Sequence, residues 1–521
     1  MAQDRIIRTR FAPSPTGPLH MGGVRTALYS YLFAKKHGGE FLLRIEDTDR
    51  NRFVTGAEEY ILESLEWCGL QHHGTVTRQS DHREKYRQVA EQLVAEGHAY
   101  YAFDTNEELE QARRTATEAQ GAFSYDATTR AGLNNSLTAN AEETKRRIDT
   151  GMPYVIRLKV PPGEDVAFSD LVRGEVTVAS VLIDDKVLLK SDGMPTYHLA
   201  HIIDDHLSGI THAIRGEEWL PSAPAHILIY RFLGWEPDMP QYAHLPLILK
   251  PSGKGKLSKR DGDAHGFPVF PIRWEDPDSG NASPGFRESG FYAGAFVNML
   301  ALMGWNPGTE QEIFSLEELS AAFSFEHIHK APARFDPDKA KWFNQQWLQR
   351  EPTEEMGSRL KQALGESLPG STFTDDFIMR SVNLLKPRIH FEKEILETGI
   401  YLFKRPAVFD QATIARKWKP AYETFFADLT VAFTKTESAE AGSLESAFNT
   451  VAAHHNLKPG SMLQLLRILV SGRTTGIDLF PMLELFGIEE TCERIAAGMA
   501  ATKDTASGPD APAPGSVPGK R

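Results

Sequence analysis

Two stretches of this chain hold the residue types that nucleotide activation needs. One is Arg10-Phe11-Ala12-Pro13-Ser14-Pro15-Thr16-Gly17-Pro18-Leu19-His20-Met21-Gly22-Gly23; the other, far downstream, is Lys256-Leu257-Ser258-Lys259-Arg260. The first is Pro/Gly-rich and can continue neither as helix nor as strand, while Val24, Leu28, Tyr31 and Leu32 after it recur at helical spacing. His20 and its glycines therefore fall at a helix N-terminus. Free backbone N–H groups and the positive end of the helix dipole favour a phosphate there, and Gly22 and Gly23 let the backbone approach it closely. The second stretch brings mobile cations. A loop hinged at Gly253 and Gly255 can close Lys256 and Lys259 over a departing phosphate group and then withdraw, with Ser258 adding a hydrogen bond. Alone, Lys256, Lys259 and Arg260 read as a solvated basic loop; their pairing with the His20 loop points to catalysis.

The elements that must position these residues are legible around them. Residues 6–11 and 41–45 read as strands flanking the first helix, whose end is marked by Gly38-Gly39. This is a strand–helix–strand unit of Rossmann type, yet neither Gly-x-Gly-x-x-Gly nor a Gly-x-x-x-x-Gly-Lys-Ser/Thr loop occurs, so the nucleotide must be held differently. Residues 87–201 change character, from a polar helical stretch at 106–114 through a Ser/Asn/Thr-rich passage to short strands such as 154–160. The segments 202–205 and 225–230 then return to complete the nucleotide-binding sheet. Residues 264–286 are rich in Pro and Gly and predict an irregular loop or a small hairpin. Beyond about residue 350 the pattern is helical, as in 462–470, and residues 502–521 lack apolar periodicity and are expected to be disordered.

Composition bounds the classes. A chain of 521 residues, 41% hydrophobic and 24% charged, is an ordinary globular protein of roughly three to five domains. No apolar run reaches membrane-spanning length and the first residues lack a signal-peptide pattern, so a cytoplasmic location is expected. Cys68 and Cys492 are far apart and expected to be buried apolar residues, and the eighteen histidines are expected at the surface or in packing rather than on a metal. The net charge of −13 leaves a nucleic-acid partner open, because local patches decide. Lys386, Arg388, Lys393, Lys404, Arg405, Arg416, Lys417, Lys419, Arg467 and Arg473 gather in the last third, interleaved with Phe391, Tyr401, Phe403 and Trp418. That mixture suits RNA contact by charge and stacking, with solvated helix faces as the bland alternative.

Together with Arg44-Ile45-Glu46-Asp47-Thr48-Asp49-Arg50, Lys190-Ser191-Asp192-Gly193-Met194-Pro195-Thr196-Tyr197-His198-Leu199 and Ile214-Arg215-Gly216-Glu217-Glu218-Trp219-Leu220, the two opening stretches resemble the glutamyl-tRNA synthetases, of class I and bacterial type. The resemblance runs, with interruptions, from about Arg8 to about Gly498. It departs from the family's signatures at Met21, Leu257 and Arg260, conservatively, and at Gly23, which stands where relatives have a second histidine. The implied fold is an α/β Rossmann-type catalytic domain (1–86 and 202–250) with an inserted α+β acceptor-end-binding domain (87–201). A lysine-loop and stem-contact domain (251–350), an all-α anticodon-binding region (351–503) and a disordered tail (504–521) follow.

The implied activity joins L-glutamate to ATP as glutamyl-adenylate and transfers it to the terminal adenosine of tRNA(Glu). The resemblance assigns His20, Lys256, Ser258 and Lys259 to catalysis, and Gly17, His20, Gly22, Gly23, Glu218, Lys256 and Lys259 to ATP. A desolvated substrate carboxylate needs cations, for which Arg10 and Arg215 are the candidates. Ala12, Ser14, Glu46, Tyr197 and His201 complete the implied glutamate pocket, Glu46 facing the ammonium. Relatives commonly carry asparagine where His201 stands. Competing pairings are Arg215 with Glu217 or Glu218, and Glu46 with Arg44 or Arg50. Arg388, with Arg467 as a second contact, is assigned to the anticodon; pairing of Arg388 with Glu392 or Glu394 is the alternative. Magnesium is expected with ATP, zinc is not, and a monomer is expected. The alternatives are an enzyme that also charges tRNA(Gln), a glutaminyl-tRNA synthetase, a short relative without an anticodon region, and a non-catalytic tRNA-binding paralogue.

Overall fold

A computed structural model describes residues 5–257 and 266–506. Ser258, Lys259 and Arg260 lie outside the described residues, as does the tail beyond Ala506. The chain divides into two compact units, Met1–Phe343 and Asn344–Arg521.

In the first unit, strand β1 (Arg8–Phe11) runs parallel to β2 (Glu40–Ile45), with Thr9 opposite Phe41 and Phe11 opposite Leu43. Helix α1 (Met21–Lys36) joins them and buries Val24, Ala27, Leu28 and Leu32. The buried Thr9 donates its hydroxyl to the Ser30 carbonyl at 2.8 Å, which pins strand to helix. The helix stops because Gly38 takes φ +62° and the Gly39 amide turns back to the Ala34 carbonyl at 2.8 Å. A Cβ on Gly39 would lie 2.1 Å from the Ile7 carbonyl oxygen. Gly39→Ala is therefore expected to cost about 1–3 kcal/mol, as overpacking against rigid backbone does, and to lower the melting temperature of the purified protein. An unchanged melting temperature would contradict this close approach.

Five more strands complete the sheet: β3 (Thr77–Arg78), β6 (Asp165–Asp170), β7 (Gly174–Ala179), β9 (His212–Gly216) and β10 (Gln241–Leu245), in the order β3-β2-β1-β9-β10-β6-β7. All neighbours are parallel except β6 and β7. From β1 the chain builds outward to β2 and β3, and from β9 it builds the other way to β10. The crevice beyond the carboxyl ends of β1 and β9 is thus a topological switch point, the place where open α/β sheets bind ligands.

The runs 202–205 and 225–230, read as completing the sheet, are instead helical: they lie in α2 (Tyr197–Leu207) and α3 (Ala223–Phe232), and β9 and β10 take the sheet positions. A short run buried on all sides looks alike in both states. The segment 87–201 is also less separate than expected. Its own antiparallel sheet, β4 (Ala99–Ala102), β5 (Val155–Leu158) and β8 (Val187–Leu189), is flanked by helices Asn106–Glu118 and Ala141–Asp149, but its β6–β7 hairpin pairs with β10 in the main sheet. Leu158, Val160 and Leu188 share one core with Leu199, Ile203 and Leu228. Residues 264–286 form a small hairpin where described, Trp274–Glu275 pairing with Ala282–Ser283.

The second unit is helical throughout its described residues, including Asp375–Leu385, Glu394–Phe403, Tyr422–Thr434, Ala441–His454 and Pro459–Ser471. Phe425, Phe426, Leu429, Phe448, Leu465 and Leu466 are fully enclosed in it. The last helix, Leu479–Ala506, kinks at Gly487 and runs past the expected start of the tail at 504. Cys68 is buried, whereas Cys492 is only partly so.

Candidate active site

A cavity of about 500 Å³ opens at the switch point between β1 and β9. Gly17, His20, Gly22, Gly23, Glu218 and Lys256 line one part of it; Arg10, Ala12, Ser14, Glu46, Tyr197 and Arg215 line another. The sequence-predicted residues are thereby brought together, apart from His201, which does not line the cavity, and Ser258 and Lys259, which lie outside the described residues.

His20 is the N-cap of α1, and its Nδ1 accepts from the Gly22 amide at 3.0 Å. His20 is exposed at the mouth of the cleft, yet partial loss of hydration among the surrounding atoms and the nearby Lys256 charge lower its pKa, so the imidazole is neutral near pH 7 and its proton sits on Nε2, free to donate outward. Gly22 has to be glycine for this cap: a Cβ would sit 2.9 Å from the His20 ring. At Gly23 the space is filled by Leu19, whose Cδ1 would be 2.5 Å from an added Cβ. Lys256 Nζ pairs with Glu218 Oε1 at 2.7 Å, and Gly216 leaves room for the Glu218 carboxylate, which would lie 2.1 Å from a Cβ there.

Arg10 is anchored rather than free. Its Nε donates to Asp205 at 3.0 Å and its Nη1 faces the Ile214 carbonyl at 3.4 Å. Arg44 binds Asp205 at 2.7 Å and Glu46 at 3.1 Å, with Asp204 at 3.6 Å. Burial opposes ionisation of Asp205, but Arg10 and Arg44 hold its carboxyl far below the ordinary range. Burial pushes Glu46 up against the pull of Arg44. Of the pairings weighed for Glu46, the one with Arg44 is present.

Arg215 pairs with neither Glu217 nor Glu218. It donates to the Tyr197 hydroxyl and to His244 Nε2, both at 2.9 Å, while Glu217 pairs with Arg173 and Glu218 with Lys256. His201, expected in the glutamate pocket, stacks behind Tyr197 with ring centres 4.5 Å apart, is bound through Nδ1 to the Tyr197 carbonyl at 2.9 Å and is 1% exposed. Its ring is enclosed between Tyr197 and His226, whose ring centre is 4.2 Å away, and does not reach the cavity.

Several lining residues escaped sequence reasoning. Val269 and Phe270 come from the unassigned segment 264–286; the Val269 carbonyl takes the Met21 amide at 2.9 Å, and the Tyr60 hydroxyl holds the Ile272 carbonyl at 2.6 Å. This segment is tied to the first turn of α1 and walls the cavity beside it. Trp219, packed 4.3 Å from Tyr197, and Arg25, held by the Met303 carbonyl at 2.9 Å, also line it. A tryptophan directly after Glu217-Glu218, and a charge inside the apolar stripe of α1, were the available signals.

In the second unit Arg388 pairs with Asp478 at 2.7 Å rather than with Glu392 or Glu394. Arg467 donates to the Ile477 carbonyl at 2.6 Å; burial and the Arg388 charge hold its pKa below the ordinary value, so the two arginines are neighbours. Tyr401 and Phe403, considered for base stacking, are buried in the core at 4% and 7% exposure, and Lys386 is buried against the Glu351 carbonyl. Among the described residues no helix is long and apolar enough to cross a membrane.

Residues 6–342 match the family model of the class I tRNA synthetases (E and Q), catalytic domain, and residues 345–499 match an anticodon binding domain. A glutamate–tRNA ligase of Cytophaga hutchinsonii is 49% identical over 505 residues, spanning 94% of this chain and 97% of that protein. One of Porphyromonas gingivalis is 47% identical, spanning 94% and 98%. Among solved structures, a glutamate tRNA ligase from Elizabethkingia meningosepticum in complex with its amino acid superposes with a TM-score of 0.89 at 45% identity, covering 95% of this chain and 99% of that one.

Proposed function

This chain belongs to the class I tRNA synthetases of the glutamate and glutamine type, and on that premise we propose how its cavity works as a glutamate–tRNA ligase. The observation that carries the reading is a buried arginine, Arg215, which opens into the same cavity as the His20 N-cap and Lys256 and has no carboxylate partner among the described residues. An acidic amino acid binds at one end and a nucleotide at the other. The helical second unit and the relatives named above favour glutamate over glutamine.

In this reading the substrate's side-chain carboxylate meets Arg215 and the Tyr197 hydroxyl, and its ammonium meets Glu46. Arg10 acts mainly through Asp205, as part of the pocket's frame. The α-carboxylate attacks the α-phosphorus of ATP, which enters as its magnesium complex, and pyrophosphate departs with the electrons of the broken P–O bond. His20 Nε2–H and the amides at the start of α1 stabilise the α-phosphate oxygens, and Lys256 leaves Glu218 to follow the pyrophosphate. Lys259 and Ser258 are assigned to the same step. A ribose hydroxyl of the terminal tRNA adenosine then attacks the acyl carbon, its proton passing to the phosphate of AMP, which leaves with the electrons of the broken C–O bond. Bound tRNA helps to assemble the site, and no zinc takes part. The protein acts as a cytoplasmic monomer. Glutamate-dependent exchange of labelled pyrophosphate into ATP, with and without tRNA(Glu), tests this: strong exchange only with tRNA supports the reading, and none under either condition contradicts it.

Arg388 supplies the preference between tRNAs. A glutamate anticodon ends in cytosine and a glutamine anticodon in guanine; a guanidinium can donate to the cytosine carbonyl, while the larger purine crowds the same place. The Arg388–Asp478 pair is half exposed and therefore weak enough to open for a base. Arg388→Gln is expected to cut the charging preference for tRNA(Glu) over tRNA(Gln) by about 5- to 150-fold, the equivalent of about 1–3 kcal/mol. A wild type that charges both tRNAs equally, or an unmoved ratio in the variant, would refute the role.

A further inference from the structure

The surroundings of Arg215 are unusual for a buried cation. Its Nε donates to His244 Nε2 at 2.9 Å, its Nη1 to the Tyr197 hydroxyl at 2.9 Å, and both Nη atoms face His226 Nδ1 at 3.4 Å. The guanidinium carbon lies 4.8 Å from the centre of the Tyr242 ring. Arg215 is 5% exposed, His226 and His244 are fully buried, and among the described residues no carboxylate comes within ion-pair distance of Arg215. Its neighbours Arg10 and Arg44 behave in the ordinary way and share Asp205, with Asp204 and Glu46 close by.

The partners fix the tautomers. His244 accepts at Nε2, so its proton is on Nδ1 and goes to Asp170 Oδ2 at 2.6 Å. Asp170 is ionised, steadied by His244 and by the amides of Val172 and Arg173, and one whole imidazole separates it from Arg215. His226 accepts at Nδ1 and donates from Nε2 to His198 Nδ1 at 3.1 Å. Burial lowers the pKa of both His226 and His244, which keeps the two acceptors unprotonated.

We propose that His226 and His244 are positioning residues whose neutral imidazoles hold Arg215 in place without cancelling its charge, so that only an acidic substrate side chain completes it and an amide is refused. A carboxylate in either place would satisfy the same N–H groups but supply the counter-charge from the protein, and glutamate would then bring a second negative charge to a neutral pair. An apolar residue would leave buried N–H groups unpaired. The inference rests on the reading of Arg215 as the partner of the glutamate side chain.

The test compares His226→Asn with His226→Asp, which place nearly the same acceptor where Nδ1 stands and differ in charge. Glutamate KM is measured in tRNA(Glu) charging, beside ATP KM and beside Arg215→Ala. We expect the Asp variant to have a glutamate KM at least about thirtyfold above that of the Asn variant, the equivalent of about 2 kcal/mol, with the ATP KM of the two within about twofold. If the two variants match in glutamate KM while Arg215→Ala remains impaired, the imidazole proposal is overturned and the site reading survives. If Arg215→Ala binds glutamate normally, the site reading itself falls. Should His226→Asp lack a cooperative melting transition, His244→Gln against His244→Glu, which address the Nε2 position, carry the same contrast with the same two outcomes.

Discussion

Lys256→Ala is expected to slow formation of the adenylate at least about 100-fold, the equivalent of about 2.7 kcal/mol in the barrier, while the glutamate KM moves less than about threefold. The reason lies in where charge appears. In the ground state Lys256 is paired with Glu218 at 2.7 Å, and both side chains are nearly half exposed, so the pair adds little to folding and the variant stays folded. On the proposed mechanism the departing pyrophosphate gathers negative charge in the transition state, and Lys256 reaches it only then. An interaction made only at that moment changes the rate and spares ground-state binding. Single-turnover measurement of adenylate with tRNA bound checks this. An unchanged rate would remove Lys256 from the chemistry.

Arg215→Ala is expected to act on the other end of the substrate, raising the glutamate KM at least about 100-fold and the ATP KM little, again an effect of about 2.7 kcal/mol. Arg10 is already drawn to Asp205 through its Nε, so much of its charge is met within the protein. The substitution leaves a carboxylate desolvated in the pocket without a counter-charge, which costs far more than a lost neutral hydrogen bond. Steady-state charging at varied glutamate and varied ATP separates the two effects. Equal increases in both KM values would show that Arg215 serves the fold rather than the amino acid.

What could be read from the sequence followed from local chemistry. The His20 cap, the end of α1 at Gly38-Gly39 and the helix around 462–470 are each encoded within a few residues, by turn formers, glycine and apolar spacing. Partners distant in sequence were not legible. Asp205, which takes up Arg10, lies 195 positions away, and Asp478, which takes Arg388, lies 90 positions away. The nearby Glu392 and Glu394 are occupied by Arg359 and by the His390 amide. Tyr401 and Phe403 have the composition of a stacking surface but face a core, because residue type carries no direction. The buried segments inside α2 and α3 misled for a related reason: a segment buried on all sides shows no period. His244 and His226 were two among eighteen histidines, and only the packing of β9 against β10 and α3 brings them to Arg215.

The most direct measurement is charging by the purified protein of separate tRNA(Glu) and tRNA(Gln), each with labelled glutamate and with labelled glutamine, in the presence of ATP and magnesium. The account predicts rapid, ATP-dependent attachment of glutamate to tRNA(Glu), glutamine attached to neither, and much weaker charging of tRNA(Gln) with glutamate. Attachment of glutamine to tRNA(Gln), or no attachment of glutamate to tRNA(Glu), would contradict it.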